Sequence, residues 1–228
     1  MKMCVFGSCI PNGVVSMFNQ QGGGKISKSV RKHLSYFSLI ENLKRKYINV
    51  HNYAHSMSGM SYVGCGIPED GSKYNYELCT GYQIMNCNLK DYDVIILICN
   101  LSDYKNCVKS DFGEENDNTL HTINGAWNLI LNKLKDECSD KKIFFFLPLY
   151  LKQVKGNVTF KEFELFLINK IKSFGFKYFS FYNYLSSFIN IEDNEKFLFP
   201  DGYHPSFDVN NLFVTYVMNV LEKEIKHE

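Results

Sequence analysis

Short, fully apolar runs alternate along this chain with longer stretches of mixed character. Residues 93–99, Asp-Val-Ile-Ile-Leu-Ile-Cys, form the clearest run. Such a run is apolar on both faces of the pleat, as a central parallel strand must be. Comparable runs at 3–6, 48–53, 143–147 and 178–182 predict four more strands. The stretches between them carry helical periodicity, at 76–89, 120–136, 160–173 and 209–226. Residues 29–47 join that set, with Leu34, Phe37, Leu39, Ile40 and Leu43 at helix-compatible spacing. Strands alternating with helices, with no linker and no repeat, predict one α/β domain over residues 1–228 with a parallel sheet.

Composition narrows the function classes. Lys and Arg number 25 against 24 Asp and Glu, so the basic excess of a nucleic-acid binder is missing. The apolar run that opens the chain stops at Gly7, too short for a signal peptide, and the run at 94–99 is far below membrane-spanning length. The eight cysteines, at 4, 9, 65, 79, 87, 99, 107 and 138, include no CxxC pair and no zinc spacing with histidine. A reduced, cytoplasmic protein without a metal or other cofactor, and without a nucleic-acid or membrane partner, is the expectation. The triple glycine Gly22-Gly23-Gly24 has no Gly-Lys-Ser/Thr after it in phosphate-loop spacing, and reads as a mobile loop.

The chemistry concentrates in the loops after the strands, where ligands bind in parallel sheets. The stretch Pro200-Asp201-Gly202-Tyr203-His204-Pro205 sets an acid and an imidazole three residues apart on a stiff turn. An imidazole oriented by a carboxylate is the base half of a nucleophilic triad. Ser8 and Cys9 follow the first strand, Gly59 lies in the small-residue loop after the second, and Asn100-Leu101-Ser102-Asp103 follows the third. Of the other histidines, His33 reads as lying on the polar side of its helix, His55 in the Gly59 loop as a substrate contact or a surface group alike, and His51 and His121 have no partner in the sequence pattern. Trp127 reads as core.

These blocks resemble those of the SGNH, or GDSL-type, hydrolases nearly end to end. That family opens on a strand followed by Gly-Asp-Ser, and Gly7-Ser8-Cys9 has the same shape with Cys9 at the nucleophile place. Gly59 matches the second-block glycine, whose N–H serves the oxyanion. Residues 93–103 follow the third block, reading Asn100-Leu101-Ser102-Asp103 where the family has Gly-Thr-Asn-Asp. Asp201-Gly202-Tyr203-His204-Pro205 matches the last block in full. The resemblance implies a three-layer, flavodoxin-like α/β sandwich around roughly five parallel strands. It also implies a catalytic triad of Cys9, His204 and Asp201 and an oxyanion hole from Cys9, Gly59 and Ser102. The substrate it implies is a short acyl ester, such as an O-acetyl ester, of a carbohydrate or small molecule.

Two alternatives stay open at the level of residues. Ser8 replaces Cys9 as nucleophile if the loop is shifted by one, and Asn100 replaces Ser102 as donor. Two stay open at the level of function. The same triad supports acyl transfer, because a thioester passes readily to another acceptor. The substituted Asn100 and Ser102 positions also suit a non-catalytic binder of an acylated or carbohydrate ligand.

Overall fold

The computed structural model describes residues 1–20, 26–66, 73–99, 101–106, 108–150 and 158–226. Five parallel strands form the central sheet: β1 (Lys2–Phe6), β4 (Asn49–Asn52), β5 (Val94–Ile98), β6 (Lys142–Phe146) and β7 (Tyr178–Phe179). A separate antiparallel hairpin pairs β2 (Val14–Gln20) with β3 (Ile26–His33). The sheet order is β4-β1-β5-β6-β7. The chain order therefore reverses between β1 and β5, and that reversal opens a crevice at their carboxyl ends.

Side-chain alternation explains the layers. Met3 and Val5 of β1 point to one face of the sheet, Cys4 and Phe6 to the other. In β5, Val94, Ile96 and Ile98 share the first face, while Ile95 and Leu97 share the second. On the first face pack α1 (Leu39–Lys46), α6 (Phe181–Ser186) and α8 (Phe207–Lys226). On the second lie α2 (Thr80–Asn86), α4 (Ile123–Glu137) and α5 (Phe160–Ser173). Both faces of every central strand are thus covered, which is why β5 has no polar residue. The result is an α/β/α sandwich. Trp127 sits inside it, 1% exposed. Among the described residues two further helices are α3 (Leu101–Asn106) and α7 (Ile191–Leu198).

Several elements depart from the periodicity. Residues 29–47 are not one helix: their first part belongs to β3, and α1 begins only at Leu39. Ser38 caps α1, its Oγ accepting the Glu41 N–H at 3.1 Å, so the Ser-x-x-Glu spacing marked the true start. His33 accordingly ends a strand rather than lying on a helix. The span 76–89 breaks at Cys79, with α2 confined to residues 80–86. The last predicted strand stops at Phe179, and Ser180 caps α6, its Oγ accepting from Asn183 N. The triple glycine lies outside the described residues.

Candidate active site

β1 delivers Gly7-Ser8-Cys9 to the carboxyl edge of the sheet, beside the start of α3 after β5. Gly7 has no room for a side chain: a Cβ there would meet Pro11 and Ile98 at 2.9–3.3 Å. Cys9 stands immediately before a three-residue 3-10 turn, Ile10–Asn12, and not before a long helix. A helix dipole is therefore a minor influence on its sulfur, and the imidazole opposite is the major one. His204 Nε2 lies 3.3 Å from Cys9 Sγ. His204 Nδ1 lies 2.8 Å from Asp201 Oδ2, which fixes the tautomer with its proton on Nδ1 and leaves Nε2 facing the thiol.

The turn that carries Asp201 is built around its carboxylate. Oδ1 accepts the backbone N–H groups of Tyr203 at 3.0 Å and His204 at 2.7 Å. Gly202 adopts φ +75°, a left-handed conformation that closes this turn and suits glycine. The β2–β3 hairpin, invisible in the periodicity, grips the same turn twice. Ser16 N donates to Pro205 O at 2.9 Å, and Arg31 Nε donates to Asp201 Oδ2 at 2.9 Å. Ser16 and Arg31 are register partners across the hairpin, so one rung of the ribbon supplies both contacts.

Charge coupling follows from these distances. Burial works against ionisation of Cys9, but the hydrogen bond and charge of His204, together with the Ser8 hydroxyl and the Cys9 backbone N–H, bring the thiol below its usual range. Burial likewise opposes the His204 cation, yet Asp201 and Cys9 overcome it and raise the imidazole to about 9. Asp201 resists burial in the same way, held well below the usual carboxylate range by His204 and Arg31. The three groups together favour a thiolate–imidazolium pair backed by a carboxylate.

A cavity of about 250 Å³ opens over this cluster, and Ser8, Cys9, Ser102 and His204 all line it. Ser8 Oγ is 3.5 Å from Ser102 Oγ and 3.9 Å from Cys9 Sγ. Of the two candidate nucleophiles, Cys9 is the one that meets the imidazole.

Gly59 is not among the described residues that line the cavity. Its N–H donates instead to Cys65 Sγ at 3.3 Å. The loop around it is fixed from behind by Asp103, a residue to which sequence reasoning gave no role. Asp103 Oδ2 accepts Met60 N at 2.7 Å, and Oδ1 accepts Ser61 N at 3.0 Å and Ser61 Oγ at 2.7 Å. From this loop Ser56 and Met57 reach the cavity, and Met57 has φ 63°, an uncommon conformation for a residue with a side chain. His55 is half-buried, and burial lowers its basicity, but it does not line the cavity. His51 Nδ1 is 2.8 Å from the Tyr92 hydroxyl. Asn100 lies outside the described residues. Among the described residues, no three His, Cys, Asp or Glu side chains are grouped to hold a metal ion. No described helix is long and apolar enough to cross a membrane.

This architecture, with its site at the reversal of strand order, is an SGNH/GDSL-like α/β fold. A candidate GDSL-like lipase from Bacteroides ovatus superposes with a TM-score of 0.61 at 12% identity, covering 97% of this chain and 98% of that one. A lipolytic protein assigned to the G-D-S-L family from Desulfitobacterium hafniense gives 0.57 at 15% identity, covering 96% and 99%. A carbohydrate esterase, whose active site is described as having divergent catalytic and non-catalytic binding functions, gives 0.56 at 13% identity over 97% of this chain and 68% of its own. No protein-family model matches the chain, and no curated protein does so either.

Proposed function

We propose that this protein is an acyl-ester hydrolase in which Cys9, His204 and Asp201 act as a triad on a short acyl ester of a carbohydrate or small molecule. The observation that carries the reading is the 3.3 Å approach of Cys9 Sγ to an imidazole whose other nitrogen is 2.8 Å from a carboxylate, at the wall of a cavity. A site that only binds a ligand has little use for an oriented base, so this contact favours catalysis over the binding alternative. The fold likeness to a carbohydrate esterase is consistent with a sugar ester but does not carry the reading.

In the proposed reaction Cys9 Sγ attacks the acyl carbon and forms a carbon–sulfur bond. The carbonyl oxygen takes up the negative charge, next to the Cys9 N–H and the Ser102 hydroxyl. Collapse breaks the bond to the alcohol oxygen, which takes the proton from His204 Nε2. Water then attacks the thioester, losing a proton to Nε2, and the freed carboxylic acid leaves Cys9 as it began. Asp201 holds the ring throughout and stays ionised.

Turnover of 4-nitrophenyl acetate tests the assignment. Wild-type protein is expected to hydrolyse it and Cys9→Ala to lose that activity. Equal rates in the two proteins would remove Cys9 from the mechanism.

A further inference from the structure

Helix α3 shows two faces to two different neighbours. Asp103 and Asn106 turn toward the second-block loop, Asn106 Nδ2 donating to Gly64 O at 2.8 Å. Ser102 and Lys105, three residues apart and so on a common side, turn toward the cavity. The Lys105 ammonium lies 3.8 Å from the centre of the Tyr203 ring, which holds it at the cavity wall beside His204. Arg31 reaches the same wall from the hairpin. Among the described residues lining the cavity, Lys105 and Arg31 thus join the His204 imidazole as cationic groups, Arg31 being paired with Asp201, and no carboxylate lines it. The Asp201 carboxylate is turned away from the cavity, toward His204 and Arg31.

A cation held against a low-dielectric wall raises the local concentration of anions and favours their binding over neutral analogues of the same shape. Nothing in the hydrolysis of a neutral ester calls for Lys105. Its placement on the Ser102 face of α3 puts it where a substrate group next to the acyl carbon would lie. We infer that the ester this site takes is anionic, carrying a carboxylate or phosphate that Lys105 and Arg31 hold while Cys9 attacks. The inference names a substrate class for the hydrolase reading above and rests on it for turnover, but not for binding.

Two measurements separate the inference from that reading. The first is alkylation of Cys9 by iodoacetate and by iodoacetamide, which share one reaction and differ in charge, with a free thiol peptide as reference. Relative to that reference, the iodoacetate-to-iodoacetamide rate ratio at Cys9 is expected to rise at least tenfold at low salt. It is expected to shrink as salt is added and to fall several-fold in Lys105→Gln. A ratio equal to the reference, or unaltered in Lys105→Gln, overturns the inference whatever the protein hydrolyses.

The second measurement compares matched esters. Mono-4-nitrophenyl glutarate is set against its methyl ester, with charge on the acyl side. 4-Acetoxybenzoate is set against its methyl ester, with charge on the alcohol side. The anionic member of at least one pair is expected to win by tenfold in kcat/KM, mainly through KM, and Lys105→Gln is expected to erase most of that margin. Cys9-dependent turnover with no preference in either pair sinks the anionic class alone. A charge-selective alkylation without turnover of any of the four esters sinks the hydrolase reading and supports an anion-binding thiol site.

Discussion

Two carboxylates organise this site, and they do so in opposite ways. Asp201 and Asp103 each accept two backbone N–H groups from a short loop. What differs is the rest of the coordination. The second oxygen of Asp201 meets two nitrogen-rich side chains, His204 and Arg31, and these cations keep it ionised against the cost of burial. Asp103 meets only a hydroxyl and amides, is 1% exposed, and burial pushes its carboxyl above the usual range despite three hydrogen bonds. The same functional group is therefore an orienter of chemistry in one place and a loop anchor in the other. Motif position alone does not distinguish them; the partners do.

Removing the charge at each position separates the roles. Asp201→Asn is expected to lower kcat by roughly 10²–10⁴-fold, because the imidazole loses its tautomer control and its stabilised cation. Its melting temperature is expected to fall less than that of Asp103→Asn, since an amide oxygen still accepts from Tyr203 and His204 and the Arg31 that faces the new NH₂ is exposed enough to turn to water. Asp103→Asn is expected to behave in reverse. An amide there turns an NH₂ toward backbone donors, at a cost of about 3 kcal/mol and a fall in Tm of roughly 6–12 °C. Residual folded protein would keep its activity. Thermal melts beside ester kinetics on both variants check the pair, and a melt loss at Asp201 exceeding that at Asp103 would break the contrast.

Next in size is the oxyanion side. Ser102→Ala removes the one side-chain hydroxyl of α3 that lines the cavity. A lost donor of this kind costs about 2.7–4 kcal/mol in the barrier, or roughly 10²–10³-fold in kcat. KM should move far less, because the charge it meets develops only in the transition state. A Ser102→Ala enzyme with wild-type kcat would leave the backbone of Cys9 as the working donor.

Most of the frame was legible in the chain. The all-apolar β5 could only be a central strand, and the Asp201–His204 block announced itself through its prolines and spacing. The hairpin was not legible. Ile26–His33 reads Ile-Ser-Lys-Ser-Val-Arg-Lys-His, with two apolar residues four apart and no alternation, so nothing distinguishes it from the helical pattern that begins a few residues later. Its contribution is also non-local: Arg31 and Asp201 are 170 residues apart and no motif joins them. The direction of the Gly59 N–H was not legible for a related reason. Its place in the motif is kept, but where its N–H points depends on Cys65 and Asp103, which a spacing rule does not contain.

Arg31 therefore yields a prediction that the motif could not. Its guanidinium favours the Cys9 thiolate and disfavours the His204 imidazolium, with Asp201 paired to both Arg31 and His204. The active pair forms as pH rises through the lowered Cys9 value and is lost as His204 gives up its proton near 9. Arg31→Gln removes a positive charge, so both ionisations should move to higher pH and the whole activity profile should shift in the alkaline direction. At a fixed pH below neutrality the loss is expected to be about tenfold, recovering as pH is raised. Arg31→Lys should restore much of the profile. A profile that keeps its position while dropping in height would assign Arg31 to packing alone.

The smallest effect concerns the sulfur that Gly59 now faces. An N–H···S contact at 3.3 Å is weak, and its loss leaves an amide free to turn. With Gly59 away from the cavity, Cys65→Ala should change kcat by no more than about twofold, since any gain would need the amide to reach the oxyanion. A rise of tenfold or more would mean that Cys65 normally holds a third donor out of the hole, and that the motif's second glycine works after all once that sulfur is gone. The neighbouring thiol, Cys79, donates to Gly59 O at 3.1 Å and would keep the loop in place during the test. The outcome therefore reports on the amide's reach rather than on the loop's order.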